Sequence, residues 1–218
     1  MTSCVSKATI VAMCGVSLFA VSAANAAVYS GFGGAIPDSN SGNPGVVSYS
    51  ITIEDNLTIT GVNAITLKGL SHTWAGDLAI TLTGPDATSV SLVNRVGVPN
   101  TPSGDSSNYN GDYAFADSGF SYGDGNLWTE ASLGDTSYTI RSGTYAASGA
   151  GSGAAINLNA LFAGKSLAGT WTLTISDNAS FDTGSLGEWC LDVAVVPAPG
   201  AAALFALVGL GGRRRRAA

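Results

Sequence analysis

Hydrophobic and polar residues alternate with a period of two along several stretches of this chain, most clearly between positions 72 and 92. The apolar residues Leu78, Ile80 and Leu82 alternate there with small or hydroxylated ones. Such alternation predicts a strand with one buried face and one face towards solvent. A Gly-Pro-Asp turn follows at 84–86, and the apolar face then resumes. The stretch is therefore predicted to form a β-hairpin.

The same alternation recurs on both sides of this hairpin. It predicts a strand over 47–53. Over 57–70 it predicts either one long bulged strand or two short strands, because Gly61-Val62-Asn63 interrupts the pattern. Two further strands near the C-terminal end place Trp171 and Trp189 on their apolar faces. Both tryptophans are therefore predicted to lie in the core.

The periodicity fades between 94 and 153, where Gly, Ser, Asp and Tyr dominate. A structureless loop of that length is unusual inside a compact domain. We therefore expect short strands near 113–116 and 138–140, with ordered loops between them. A short helix is predicted over 158–162, and it is the only helix predicted before the C-terminal tail.

Composition agrees with an all-β domain in an exported protein. The 218 residues include 29 glycines, and charged residues make up 11%. This length suits one domain with a well-filled core. Without Lys7 and the four arginines at 213–216, four basic residues face 15 acidic ones, which is a net charge of −11. A domain this acidic repels phosphate backbones, which argues against nucleic-acid binding.

The N-terminal residues 1–26 have the features of a secretory signal peptide. Lys7 precedes an apolar run over 8–21, and Ala24-Asn25-Ala26 provides a cleavage site of small residues. An uncleaved anchor is the alternative, although the run is short for a membrane span. The Gly-, Ser- and Asn-rich stretch 27–45 is predicted to be a flexible lead-in or an irregular first strand.

The C-terminal segment 196–218 has three parts. Pro197-Ala198-Pro199-Gly200 precedes an apolar run over 201–212, and four arginines follow. The segment resembles the PEP-CTERM sorting signal of Gram-negative bacteria that make exopolysaccharide, with Ala198 where that signal usually has Glu. The resemblance implies a short apolar helix held at the inner face of the membrane by its arginines. An ordinary C-terminal anchor would have the same topology. The residues of this signal are Pro197, Pro199, Arg213, Arg214, Arg215 and Arg216.

Three motifs in the middle of the chain resemble a known family. They are, in order, His-x-x-x-Gly-Asp-Leu, Gly-Thr-Trp-x-Leu and Gly-x-Leu-x-x-Trp-x-Leu. Their order and separation are similar to those of the P domain (P/Homo B domain) of subtilisin-like proprotein convertases and many bacterial secreted proteases. The resemblance covers 46–195 and implies a jelly-roll β-sandwich of the galactose-binding-like type. The motif residues are His72, Gly76, Asp77, Leu78, Gly169, Thr170, Trp171, Asp177, Gly184, Leu186 and Trp189.

The residues offer little support for catalysis. Convertases cut with a Ser-His-Asp triad, whereas His72 is the only histidine here and belongs to a family motif. Gly104-Asp105-Ser106 is similar to a nucleophile motif, but Ser107 follows where serine proteases carry glycine. There is also no room for a catalytic domain. We therefore expect no enzymatic activity.

Acidic and aromatic residues suggest two kinds of binding site. Oxygen-rich loops can hold Ca²⁺, so calcium is the cofactor that the sequence suggests, although solvated acidic loops explain the same residues. The candidate ligands are Asp112, Asp117, Asp177 and Asp182. Tyr109, Tyr122 and Trp128 could stack on sugar rings or cover loop hydrophobics.

The carboxylate of Asp77 is expected to fix a turn by accepting hydrogen bonds from backbone N–H groups. Cys190, the single cysteine of the mature chain, is either an inert buried thiol or an intermolecular bridge.

Three functions remain open from the sequence. The first is a non-catalytic module, exported by a Gram-negative bacterium to its cell envelope or matrix, that mediates surface or protein interactions. The second is an accessory domain of a subtilisin/kexin-like serine endopeptidase, since the P domain of convertases supports the folding of the catalytic domain. The third is carbohydrate binding, by analogy with other jelly-rolls. A scaffold partner predicts an exposed apolar patch, and a sugar binder predicts aromatic residues at loop tips.

Overall fold

The computed structural model describes residues 24–98, 100–134, 138–151 and 153–198. The predicted signal peptide lies outside these ranges up to position 23, and the predicted sorting signal lies outside them from position 199. The described residues form thirteen strands, one 3-10 turn and two short helices. The first half contains β1 (Asn25–Phe32), β2 (Ala35–Ile36), β3 (Gly45–Ile53), β4 (Leu57–His72), the 3-10 turn (Ala75–Asp77), β5 (Leu78–Thr83) and β6 (Ser89–Asn94). The second half contains β7 (Tyr109–Phe115), α1 (Leu127–Ala131), β8 (Gly143–Tyr145), β9 (Ala147–Ser148), β10 (Ala155–Ile156), α2 (Leu158–Phe162), β11 (Gly169–Asp177), β12 (Gly184–Ser185) and β13 (Glu188–Pro197).

Two sheets form the predicted β-sandwich. The first sheet has the order β1-β13-β4-β12-β2, with β7 paired to β4 and β8 parallel to β7. The second has the order β3-β11-β5-β6. A small hairpin of β9 and β10 lies beside β6. The strands β4 and β13, which are far apart in sequence, form the longest pairing. The all-β class expected from the sequence and the β-sandwich implied by the family resemblance are both confirmed.

The predicted strand faces meet between the two sheets. Trp171, Leu173 and Ile175 on β11 are buried, as are Trp189 and Leu191 on β13. Phe162 of α2 packs against Trp171, with 5.3 Å between the ring centroids. Burial of these large side chains is the main source of stability, at about 1.5–3 kcal/mol for each aliphatic or phenyl group.

The structure decides between several local alternatives and corrects others. For 27–45 the first-strand alternative is seen and the flexible lead-in is not, since β1 pairs with β13 along its whole length. Of the two alternatives for 57–70, one long bulged strand is seen, in which Thr60 and Asn63 are skipped in the backbone pairing with β13. No strand forms over 138–140, where Thr139 makes only an isolated bridge with Asn108. The helix at 158–162 is confirmed, whereas α1 was not predicted. Within the described ranges, no helix has the length and hydrophobicity needed to cross a bilayer.

Candidate functional site

His72 is at the centre of a buried polar cluster at one end of the sandwich. It is the last residue of β4, and its side chain has no exposed surface. Its Nε2 atom lies 3.1 Å from Asp177 Oδ2, and its Nδ1 atom lies 3.0 Å from the carbonyl oxygen of Trp74. Both ring nitrogens therefore have protein partners.

Asp77 lies beside this pair and is only 2% exposed. Its Oδ1 atom has no hydrogen-bond partner among the described residues. The pKa of Asp77 is raised to about 6, first by burial and then by the neighbouring carboxylates of Asp177 and Asp182. His72 and Arg95 act in the opposite direction. The backbone of Asp77 makes a separate contact, because its carbonyl oxygen accepts from Asn178 N at 2.9 Å. The turn role expected of the Asp77 carboxylate stays a prediction.

Gly76 allows a loop to approach the cluster closely. A Cβ atom at this position would lie 2.6 Å from backbone atoms of Ser103, Gly104 and Asp105. The Gly76 N–H donates to the Asp105 carbonyl oxygen at 2.8 Å, and Asp105 Oδ1 accepts from Ser107 N at 2.9 Å. Gly104-Asp105-Ser106 is therefore part of a turn that packs against the family motif.

The second half of the family motif meets the first half at His72. A Cβ atom on Gly184 would lie 2.7 Å from His72 Cδ2, so only glycine fits there. Gly169 has a φ of +126°, in the region that favours glycine, and Pro85 packs directly over it. Leu78, Leu186 and Trp189 are buried, whereas Thr170 is exposed. Most motif residues thus serve packing, but they do not all lie at one end, since Gly169 begins β11 and Asp177, the partner of His72, ends it.

The four proposed calcium ligands do not form one site. Asp112 accepts from Gly69 N at 2.7 Å, and Asp117 accepts from Leu158 N at 2.6 Å at the start of α2. Asp182 accepts from Thr73 Oγ1 at 2.6 Å. In the described part of the chain, no group of three or more Asp, Glu, His or Cys side chains is placed to hold a metal ion. The predicted calcium site is therefore not formed by these residues.

The three aromatic residues considered for sugar stacking are also occupied by the protein. Tyr109 is 1% exposed and Trp128 is 9% exposed. The guanidinium of Arg141 covers the ring of Tyr122, with 3.8 Å between its Cζ atom and the ring centroid. Arg141 also forms a two-pronged ion pair with Glu130, which lowers the pKa of that carboxyl. This arrangement stabilises the loop region between β7 and β8.

Exposed hydrophobic residues lie elsewhere on the surface. On β1, Val28 is 63% exposed and Phe32 is 90% exposed. In the loop after β11, Phe181 is 96% exposed. Sequence reasoning missed these three residues. The available signal for Phe181 was a single aromatic residue within the polar stretch 176–185.

Cys190 is buried, and its Sγ atom lies 3.8 Å from Glu188 Oε1.

Comparisons with known proteins give one family match. The model of the proprotein convertase P-domain matches residues 64–193. Among solved structures, a serine protease of Aeromonas sobria in complex with the chaperone is 16% identical, with a TM-score of 0.40. That alignment covers 80% of this chain and 28% of the protease chain. A second structure of serine protease of Aeromonas sobria is 16% identical over 78% of this chain and 27% of that chain, with a TM-score of 0.37. The chain thus spans less than a third of these proteases. No curated protein matches it.

Proposed function

Because the chain belongs to the proprotein convertase P-domain family, we propose that it is an exported, non-catalytic module that binds a protein partner. The family match supports a protease-associated role. Accordingly, a serine endopeptidase is the proposed class of partner, bound as a separate chain. In this role the module stabilises the folded endopeptidase and does not cut peptide bonds itself.

The open edge of the first sheet carries this proposal. In the described part of the chain, β1 pairs with β13 on one side and has no strand on the other. Its sequence Asn-Ala-Ala-Val-Tyr-Ser-Gly-Phe contains no charge and no proline. Soluble proteins usually place charged residues or proline on an edge strand, because the unpaired backbone groups of such a strand can pair with another chain. An unprotected edge is therefore a suitable place for a partner strand.

Two side chains add an apolar surface to this edge. Val28 and Phe32 point outwards from β1, and they are among the exposed large hydrophobic residues of the described chain. A partner strand beside β1 would gain backbone hydrogen bonds from the edge and would cover Val28 and Phe32. Burying such side chains in an interface contributes roughly 25 cal/mol for each Å² of apolar surface.

The environment of His72 supports a non-catalytic role. A catalytic histidine must reach both a nucleophile and a substrate. His72 is 1% exposed, and its ring nitrogens face Asp177 and the Trp74 backbone. We therefore expect no hydrolysis of peptides with basic cleavage sites. Activity that is lost both with a serine-protease inhibitor and in the His72→Asn variant would contradict this expectation.

The two ends of the sequence support a location outside the cytoplasm. The signal features at 1–26 favour export, and the segment 196–218 favours a sorting or anchoring step at the membrane. We propose that the domain acts at the cell envelope or in the extracellular matrix of a Gram-negative bacterium.

The partner can be tested with a serine endopeptidase secreted by the same bacterium. The purified protein should elute with the endopeptidase in size-exclusion chromatography and prolong its activity at elevated temperature several-fold. Val28→Lys/Phe32→Lys should abolish both effects, because lysine on an edge strand opposes pairing. Leu133→Lys is the matched control, since Leu133 is 64% exposed but lies after α1. No association, or equal association of the β1 variant, would overturn the proposal.

A further inference from the structure

Phe181 occupies an unusual position at one end of the sandwich. Its side chain is 96% exposed, and its φ of +87° falls in a region that bulky residues rarely adopt. The neighbouring backbone is nevertheless well anchored. Asn178 N donates to the Asp77 carbonyl oxygen, and Asp182 Oδ1 accepts from Thr73 Oγ1 at 2.6 Å. The loop thus holds an aromatic ring in solvent without packing it on the domain.

A second loop holds Phe181 from the other side. The Phe181 N–H donates to Asp38 Oδ2 at 3.1 Å. Asp38 precedes a tight turn in which Asn40 and Asn43 exchange two backbone hydrogen bonds of 3.0 Å. Gly45 packs on the carbonyl oxygens of Pro37 and Asp38, which fixes the base of this turn on β3. The ring therefore stands beside a second loop with its own defined conformation.

The two loops enclose an open cavity of about 420 Å³. This volume falls within the range of roughly 300–1,000 Å³ that is usual for small-molecule sites. Except for the ring, every side chain that lines the cavity is short and polar. The lining residues are Asp38, Ser39, Asn40, Ser41, Ser180 and Phe181.

The chemistry of this lining excludes several classes of ligand. None of the lining residues is basic, so an anion would find no counter-charge. Asp38 is the only carboxylate among them, and its Oδ2 atom already accepts a backbone N–H, so a divalent cation would lack ligands. Phe181 is the only large apolar side chain of the lining, which does not fit a hydrophobic peptide anchor.

A sugar ring matches the same surface. A pyranose has an apolar face of C–H groups and a rim of hydroxyls. The apolar face of the sugar can stack on the ring of Phe181, and the hydroxyls can form hydrogen bonds with the polar loop. Asp38 Oδ1 can accept a hydrogen bond from a sugar hydroxyl, because it is the other oxygen, Oδ2, that accepts from the Phe181 N–H. Asn40 Oδ1 accepts from Ser41 Oγ at 2.9 Å, which leaves the Nδ2 amide to donate.

We propose that Phe181 and the loop from Asp38 to Ser41 form a binding site for a neutral hexopyranose unit of a polysaccharide. The ring is the stacking platform, and Asp38 has two roles. One of its oxygens positions the backbone of Phe181, and the other receives a sugar hydroxyl. The site is separate from the β1 edge, so its occupancy does not depend on the protein partner proposed above.

The test uses the purified full chain with maltohexaose, cellohexaose and chitohexaose as probes. Titration calorimetry should show saturable binding of at least one of them. Phe181→Gly should weaken that binding at least about tenfold. Phe181→Tyr should retain it within about threefold, because the stacking ring remains. Leu133→Ser, which removes another exposed hydrophobic residue, should leave affinity unchanged.

The glycine variant also separates binding from folding. Glycine adopts a positive φ without strain, so Phe181→Gly should unfold at the same temperature as the wild type or higher. No binding of any probe up to about 10 mM would overturn the proposal, as would equal binding by Phe181→Gly. If no glycan binds and Phe181→Gly instead loses a protein in affinity capture, the occupant is a protein and the sugar assignment is wrong. Val28→Lys/Phe32→Lys should bind the glycan normally, whatever its effect on the protein partner.

Discussion

The imidazole of His72 and the carboxylate of Asp177 form a fully buried contact of 3.1 Å between the two sheets of the sandwich. His72 ends β4 in the first sheet, and Asp177 ends β11 in the second. Asp177 also accepts from Ala179 N at 3.2 Å through its other oxygen. The pair therefore joins the sheets and fixes the start of the loop that carries Phe181.

Removing one member of this pair should be strongly destabilising. Asp177→Ala leaves the buried imidazole without its partner, and such losses typically cost 3–5 kcal/mol. His72→Ala should cost a similar amount. The free energy of unfolding in urea measures both effects. The double variant should be less destabilised than the sum of the single variants, because residues in direct contact couple. Additive effects would mean that the two side chains do not interact.

Asp77 should make stability depend on pH. Its pKa is about 6 in the folded state, against 3.8 for the free group. The folded state thus favours the protonated form, and this contribution is fully present below about pH 3.8 and lost as pH rises through about 6. At about 1.4 kcal/mol for each pKa unit, the loss should be on the order of 3 kcal/mol.

The Asp77→Asn variant isolates this effect. Asparagine has nearly the same shape and no charge, so the variant should lack the decline between about pH 4 and 7 and should be more stable than the wild type at neutral pH. The neighbours Asp177, Asp182, His72 and Arg95 stay in place in this comparison. Urea unfolding at several pH values is the measurement. Parallel pH profiles for the two proteins would assign the dependence to another group.

Trp171 should contribute strongly to the core. It is 1% exposed, and its Nε1 atom donates to the Leu167 carbonyl oxygen at 2.9 Å. Trp171→Ala should destabilise the domain by about 3–5 kcal/mol, because a large cavity forms and Leu167 loses a hydrogen bond. Thr170→Ala is the control on the adjacent exposed position and should change stability by less than about 1 kcal/mol. A change below about 1 kcal/mol for Trp171→Ala would contradict the assigned strand faces.

The tail should be a processing signal and not a lasting anchor. A helix over the apolar run 201–212 would be about 18 Å long, against a hydrocarbon core of about 30 Å. Mass spectrometry of the native protein should therefore find no peptide that contains Leu204 to Arg213. Changing the four terminal arginines to Ser should block maturation, because these charges hold the end in the cytoplasm. An intact C terminus on envelope-bound protein would identify a simple anchor.

Local sequence patterns determined much of the fold. Alternation with period two assigned the core faces of β5, β11 and β13, because side chains of a strand point to opposite sides in turn. The pattern also placed α2 at 158–162. It did not identify β1, whose small residues and glycine give weak alternation. That strand is ordered by its pairing with β13, which lies far away in the chain.

The candidate sites depended on the tertiary structure. The sequence identified His72, Asp77 and Asp177 as motif residues. Only the structure shows that His72 contacts Asp177, which lies 105 residues further along the chain. The proposed calcium ligands form two pairs in the sequence, and the carboxylates of Asp112, Asp117 and Asp182 bond to three different elements. Exposure of Phe181 was likewise undetermined, because a residue in a loop has no periodic pattern that assigns it to a face. The sequence thus determined which residues face the core, through short-range geometry, whereas the packing of the two sheets decided which polar groups meet and which hydrophobic residues remain in solvent.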